Sequence, residues 1–293
     1  MRTTHLQQLS MGCALLLLLA GCSSEDTEIN VAQTQTTVAA ATGAGDSPQY
    51  EVDASWPQQL PNDWILGQVS GIAVDSQDNI WIIQRPRTLT AHELGAVQNP
   101  PATECCYPAP SVIALNPAGE VVRAWGGPTW NQEQSVLDTS YGSANVAESA
   151  GWDSPEDWPT QEHGIFIDHE DNVWIGGNGS SDHVVLKFTP DGELLMTIGT
   201  PGKPAKKWSG EPFNRPTHAA VSPNTGNIYI SDGYGNSRIH KYTPDGRLLI
   251  SWGEPGIDAG QFIRPHNVVV DAEDRVYIAD REAHRVQVFD ADG

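Results

Sequence analysis

Four stretches of this chain repeat one pattern, and that repeat limits the fold more than any other feature. Residues 70–83, 163–176, 217–231 and 266–279 each read as a short apolar strand, a polar turn rich in Asp or Asn, and an alternating strand with an aromatic. The aromatics are Trp81, Trp174, Tyr229 and Tyr277. A third strand follows in each unit, beginning near Val112, Val184, Ile239 and Val286. Three units add a fourth strand that ends at Gly126, Gly199 or Gly253. The unit starts at 163, 217 and 266 are spaced 54 and 49 residues apart, and the first unit carries two inserted loops. A four-stranded sheet of this size cannot bury both faces alone. Sheets at this period therefore stack around an axis as propeller blades.

The turns support this reading. Pro190-Asp-Gly192 and Pro244-Asp-Gly246 are tight-turn chemistry between strands. The groups Asp75/Asp78/Asn79, Asp168/Asp171/Asn172 and Asp271/Asp274 have the look of calcium loops. They lack the twelve-residue ligand series with its terminal Glu, so they are read as hairpin turns. The fourth unit reaches Gly293 after its third strand. The expectation is an all-β propeller of four-stranded blades, six-bladed when complete, with about four blades present. About 100 further residues would supply the other two at this period.

Ahead of the repeats lies an address. Arg2 precedes an apolar run from Met11 to Ala20, too short to span a bilayer, which ends Leu19-Ala20-Gly21-Cys22. This resembles a bacterial lipobox. Residues 1–21 are expected to be a lipoprotein signal peptide, with Cys22 as the lipidated residue. Residues 22–48 are expected to be a disordered tether, and 49–293 the propeller. Ser23 rather than Asp after the cysteine favours the outer membrane. The expected location is the bacterial cell envelope, with membrane attachment through the lipid alone. Cys105 and Cys106 are adjacent and cannot staple distant strands. In an oxidising compartment they form either a vicinal disulfide or two thiols.

Charge excludes one class of partner. Lys+Arg is 16 against Asp+Glu 37, a formal charge of −21. Phosphate-backbone binding needs clustered cations, so nucleic acid is not expected.

Chemistry in a propeller belongs where the innermost strands face the channel. Those strands open at Ser70, His163, Thr217 and His266. Two histidines at equivalent positions are either structural hydrogen-bonders or ligands of one metal, since catalytic zinc takes about three protein ligands.

The units resemble NHL repeats. Residues 230–238, Trp252-Gly253, Phe262-Ile-Arg-Pro-His266 and Ala279-Asp-Arg-Glu282 more specifically resemble the catalytic domain of peptidyl-α-hydroxyglycine α-amidating lyases. The likeness runs from about Gln68 to Gly293. It implies a six-bladed propeller that cleaves a peptidyl-α-hydroxyglycine to a peptide amide and glyoxylate. It also implies zinc on His163, His266 and a third histidine beyond Gly293. Calcium would sit partly on the backbone carbonyls of Ile72 and Ile165. Tyr234 would be the catalytic base, with Arg85 and Arg281 as active-site arginines. A guanidinium and a metal beside a phenol favour the phenolate, and an arginine also suits a carboxylate.

Departures from the family are Gly235 in place of a cysteine after the tyrosine, the Cys105-Cys106 loop, and an acidic insertion around residues 152–158. A hydroxylating domain ahead of the propeller is not expected from residues 1–48. The expected partner is a small-molecule or peptide substrate. The alternative is a non-catalytic propeller that binds an envelope protein. A propeller lactone hydrolase would need carboxylate ligands where histidines stand.

Overall fold

The computed structural model describes residues 50–98, 100–127, 130–131, 136–137 and 158–293. The expected signal peptide, Cys22 and tether lie outside the described residues. So does the 152–158 insertion, apart from Trp158.

The chain enters through β1 (Trp64–Ile65) and builds a first blade from β2 (Gln68–Val74), β3 (Ile80–Arg85), β5 (Val112–Leu115) and β6 (Val121–Trp125), paired in that order. In the first insertion β4 (Tyr107–Pro108) pairs in parallel with β1. In the second, β7 (Trp130–Asn131) pairs with β8 (Val136–Leu137). The second blade is β9 (Glu162–Ile167), β10 (Val173–Gly177), β11 (Val184–Phe188) and β12 (Leu194–Gly199). The third is β13 (His218–Val221), β14 (Ile228–Asp232), β15 (Arg238–Tyr242) and β16 (Leu248–Trp252). The fourth sheet is β17 (Pro265–Val270), β18 (Val276–Asp280) and β19 (Arg285–Phe289). All pairings within these sheets are antiparallel. The protein is an all-β propeller of NHL-type blades, and four blades are described.

The apolar periodicity explains the stacking. Side chains alternate across each strand, so every sheet offers an apolar layer to both neighbours. Trp81, Ile83, Val112 and Trp125 of the first blade pack with Ile165, Ile167, Val173 and Leu186 of the second. Trp174, Val185 and Ile198 pack with Ala219, Val221, Ile228 and Ile230 of the third. Ala220, Tyr229 and Ile239 pack with Val268, Val276 and Ile278 of the fourth. The far face of the first blade, with Ile82, Ile113 and Leu115, is covered by Trp56, Leu60, Trp64 and Leu66.

The Asp-rich turns are hairpin turns held by their own aspartates. Asp75 Oδ1 accepts from the Gln77 and Asn79 amides, and Trp81 Nε1 donates to its Oδ2 at 2.9 Å. Asp168 repeats the arrangement with the Glu170 and Asn172 amides and Trp174 Nε1, also at 2.9 Å. Asp271 does so with the Glu273 and Arg275 amides and the Tyr277 hydroxyl at 3.0 Å. Asp78, Asp171 and Asp274 take the left-handed conformation (φ 61, 62 and 60) that closes each turn. Two of them tie blades together: Asp171 accepts from Ser76 Oγ at 2.6 Å, and Asp274 from Ser222 Oγ at 2.5 Å.

The innermost strands β2, β9, β13 and β17 run side by side. Their spacing is tight. A Cβ on Gly164 would lie 2.5 Å from the Thr217 carbonyl oxygen, so glycine is what lets β9 and β13 approach. Cys105 and Cys106 form a disulfide in the first insertion.

Candidate functional site

His163 and His266 are the second residues of β9 and β17, both innermost strands. Their rings are 4.7 Å apart between centroids. Tyr234 sits just beyond β14, after Gly233, and projects its hydroxyl between them. The Tyr234 oxygen is 3.2 Å from His163 Nε2 and 3.2 Å from His266 Nε2. Arg281, following β18, places Nη1 3.4 Å from the same oxygen and 3.0 Å from His266 Nε2. Four of the five residues expected to carry the chemistry thus converge on one phenol oxygen.

Arg85 ends β3 and lies at the edge of this group. Its Nε donates to the Glu162 carbonyl at 2.6 Å, one residue from His163. Its charge helps to lower the His163 pKa.

The protonation state of the imidazoles follows from their partners. His163 Nδ1 faces the Thr217 carbonyl at 2.9 Å. A carbonyl only accepts, so Nδ1 carries the proton and Nε2 keeps its lone pair. Burial pulls the His163 pKa down to about 3, with His266 the next cause and Arg85 and His218 adding to it. His266 is lowered by burial, then by Arg281 and Arg264. An arginine never accepts, so His266 Nε2 is the acceptor from Arg281. Two neutral imidazoles therefore aim lone pairs at one point, where a single phenol proton and one guanidinium N–H must serve both.

That surplus of electron pairs is what a cation would satisfy, and neutral imidazole nitrogen is one of the donor types zinc takes. Among the described residues no group of three or more His, Cys, Asp or Glu gathers as a metal site, so this pair is the whole of the imidazole contribution there. Ile72 and Ile165, whose backbone carbonyls the family resemblance assigns to calcium, lie on the neighbouring innermost strands β2 and β9. The Ile72 side chain is 68% exposed on β2 and that of Ile165 is buried on β9. What stands against the Ile165 carbonyl is the imidazole of His218, which also faces the backbone of Val268. Burial pulls the His218 pKa down to about 4.

Three residues without an expected role belong to the site. Arg215 and Arg264 each hold their guanidinium carbon 5.0 Å from the centre of the Tyr234 ring, with Arg281 at 5.7 Å. The signal was in the repeat: both stand in an Arg-Pro pair just before the innermost strand of successive blades, at the same offset from Thr217 and His266. Glu162 is the third. Its buried Oε1 accepts from Ser111 Oγ at 2.9 Å, Trp158 Nε1 at 3.0 Å and Arg87 Nη1 at 3.1 Å. This pins the start of β9, and with it His163.

Gly235, where a cysteine was the family expectation, is dictated by space. A Cβ there would lie 2.0 Å from Asn214 Oδ1. That asparagine anchors the Arg215 loop, its amide donating to both oxygens of the buried Asp232 at 3.0 and 2.9 Å.

The NHL repeat profile matches residues 213–242 and 262–289, the two segments that carry Arg215, Tyr234, Arg264, His266 and Arg281. NHL repeat-containing protein 3 of Homo sapiens is 39% identical over 251 residues, covering 83% of this chain and 57% of that protein. Peptidyl-alpha-hydroxyglycine alpha-amidating lyase 1 of Drosophila melanogaster is 33% identical over 216 residues, covering 64% and 39%. Peptidylglycine alpha-amidating monooxygenase of Rattus norvegicus is 29% identical over 252 residues, covering 83% and 22%. The chain therefore spans a little over half of the first relative and under a quarter of the last. It is an NHL-repeat β-propeller homologous both to the peptidyl-α-hydroxyglycine α-amidating lyases and to NHL repeat-containing protein 3.

Proposed function

We propose that this propeller is a lyase of the peptidyl-α-hydroxyglycine type, which breaks the C–N bond of an N-acyl-α-hydroxyglycine to release an amide and glyoxylate. The observation that carries this reading is the shared contact at Tyr234: a phenol oxygen within 3.4 Å of two imidazole nitrogens and a guanidinium nitrogen.

His163 and His266 would hold a zinc ion, whose chemistry is to draw charge from the substrate hydroxyl oxygen. Tyr234 Oη, as phenolate, takes the hydroxyl proton. As that O–H bond breaks, the carbon–oxygen double bond of glyoxylate forms and the C–N bond breaks. The electron pair leaves with nitrogen, which is protonated to the amide. The proton lost from oxygen is the one gained by nitrogen, so the step needs no further reactant. Arg281 stabilises negative charge on the phenol oxygen, and Arg85 suits the substrate carboxylate as a fixed cation.

A non-catalytic propeller acting as an envelope binding module is the second reading. It is favoured by the higher identity to NHL repeat-containing protein 3 than to the lyase of Drosophila melanogaster. Glyoxylate release from N-acetyl-α-hydroxyglycine separates the two. Zinc-dependent release supports the lyase. No release from zinc-loaded protein leaves the binding module.

A further inference from the structure

The guanidiniums at this site outnumber the anions that the lyase reaction supplies. N-acyl-α-hydroxyglycine offers one carboxylate, which Arg85 suits, while Arg281 is engaged at the Tyr234 oxygen. Arg215 and Arg264 remain, and their placement is built rather than incidental.

Arg215 holds a left-handed backbone (φ 66), a conformation that costs a non-glycine residue free energy and concentrates at ligand sites. Its Nε donates to the Asn178 carbonyl at 2.7 Å. Arg85 is tethered in the same manner, Nε to the Glu162 carbonyl at 2.6 Å. An arginine fixed through Nε presents its two terminal nitrogens as a fork matched to an oxyanion. Among the described residues no carboxylate lies within 4.0 Å of either guanidinium. Arg264 differs: it shares Glu282 with Arg281, at 3.1 and 2.7 Å. The Arg264 carbonyl also accepts the Arg281 amide at 3.0 Å, so the two arginines are joined through both backbone and side chain.

Three guanidiniums thus stand against the Tyr234 ring and a fourth, that of Arg85, beside His163, with Glu282 paired to two of them, in a chain whose formal charge is −21. Cations crowded together repel, and the overall charge repels anionic ligands at long range. A local cluster of positive charge captures an anion at short range despite that background.

We infer that the ligand of this site carries two oxyanions: the glycine-derived carboxylate, and a second oxyanion on the acyl side received by Arg215 and Arg264. The substrate class is then an N-acyl-α-hydroxyglycine whose acyl group is itself acidic. The identity of the first anion rests on the lyase reading; the second-anion subsite stands on the arginines alone.

Binding of stable glycine analogues to the full chain tests this apart from turnover. Calorimetry with N-acetylglycine, N-succinylglycine and N-phosphonoacetylglycine compares one anion with two, and a carboxylate with a phosphonate. We expect at least one dianionic probe to bind about tenfold or more tighter than N-acetylglycine, as charge-assisted bidentate contacts give. That ratio should fall toward one in both Arg215→Gln and Arg264→Gln. Equal affinity for all three probes in the wild type overturns the inference. So does a ratio that persists in both variants, which would confine the two arginines to stacking on Tyr234. Glyoxylate release is followed separately with N-acetyl- and N-succinyl-α-hydroxyglycine. A clear binding preference without release from either would remove the lyase reading and leave the subsite in place.

Discussion

His163 and His266 stand with ring centroids 4.7 Å apart and direct their Nε2 atoms at the same hydroxyl oxygen, that of Tyr234, 3.2 Å from each. The phenol can donate to only one of them. The propeller produces this meeting because the two histidines occupy equivalent strand starts in non-adjacent blades, while the tyrosine comes from the blade between. No local stretch of chain could bring them together.

Removing the Tyr234 hydroxyl should separate chemistry from binding. Tyr234→Phe keeps the ring under the three guanidiniums and removes only the proton acceptor. Turnover of an α-hydroxyglycine substrate should fall by about 10²–10⁴, the usual contribution of a positioned general base. Zinc content, measured by atomic emission on the same sample, should match the wild type. Activity within a factor of two of wild type would show that Tyr234 is not the base.

Arg281 competes for the lone pair on which a metal would act, since its Nη1 is 3.0 Å from His266 Nε2. Arg281→Met removes that donor and a nearby positive charge. Zinc affinity should rise by about tenfold, as expected for removing a like charge a few ångströms away at a partly solvated site, while glyoxylate release falls. His163→Ala should instead weaken zinc by 10–100-fold or more, the scale of losses seen even on removing outer-shell partners, and glyoxylate release should fall with it. Competition with a chelating dye reads both. Unchanged affinity in both variants would mean that the imidazole pair is not a zinc site.

The blades could be read from the chain because period-2 apolar patterning and Asp-rich turns are local signals. Asp75, Asp168 and Asp271 hold their turns by contacts within six residues. His163 and His266 could be found because the repeat fixes which residue faces the channel. Arg215 and Arg264 were missed, although the same repeat places them: an Arg-Pro pair before a strand looks like ordinary loop chemistry until Tyr234 is seen beside it. Glu162 was hidden for a different reason. Its partners Arg87, Ser111 and Trp158 come from two insertions and another strand edge, and repeat spacing says nothing of them. His218 showed no local sign of meeting the Ile165 backbone, because that contact forms only when β9 and β13 pack.

The Gly235 position should not tolerate the cysteine that the family resemblance led one to expect. Its Cβ would lie 2.0 Å from Asn214 Oδ1 and 2.9 Å from the Asn214 carbonyl oxygen. Moving Asn214 would strain the amide that holds Asp232 and displace Arg215 next to it. Gly235→Ala should destabilise by about 1–3 kcal/mol, the usual cost of overpacking. For a domain of this size that lowers Tm by about 2–4 °C per kcal/mol. A melting temperature equal to wild type would show that the Asn214 loop has freedom that the packing denies it.

Acid should loosen the blades through their turn aspartates. For Asp75 and Asp168, burial raises the carboxyl pKa, but hydrogen bonds from Trp81 and Asn79, and from Trp174, Asn172 and Lys187, outweigh it and hold both below the ordinary value. Asp271 is drawn from 3.8 to about 2: burial again opposes, and the Arg275 amide and side chain with the Tyr277 hydroxyl prevail. A depressed carboxyl pKa contributes stability that is fully present above its unfolded value and is lost as pH falls through the folded one. The window is therefore from near 3.8 down to about 2. Thermal melts of the wild type should show Tm dropping progressively across it. Asp271→Asn should be less stable than wild type at pH 6, and the gap should narrow steeply toward pH 2, where the wild-type carboxyl is itself about half protonated. A gap that stays constant from pH 6 to pH 2 would assign the loss to altered turn geometry, leaving the charged carboxylate without a part in holding the blade.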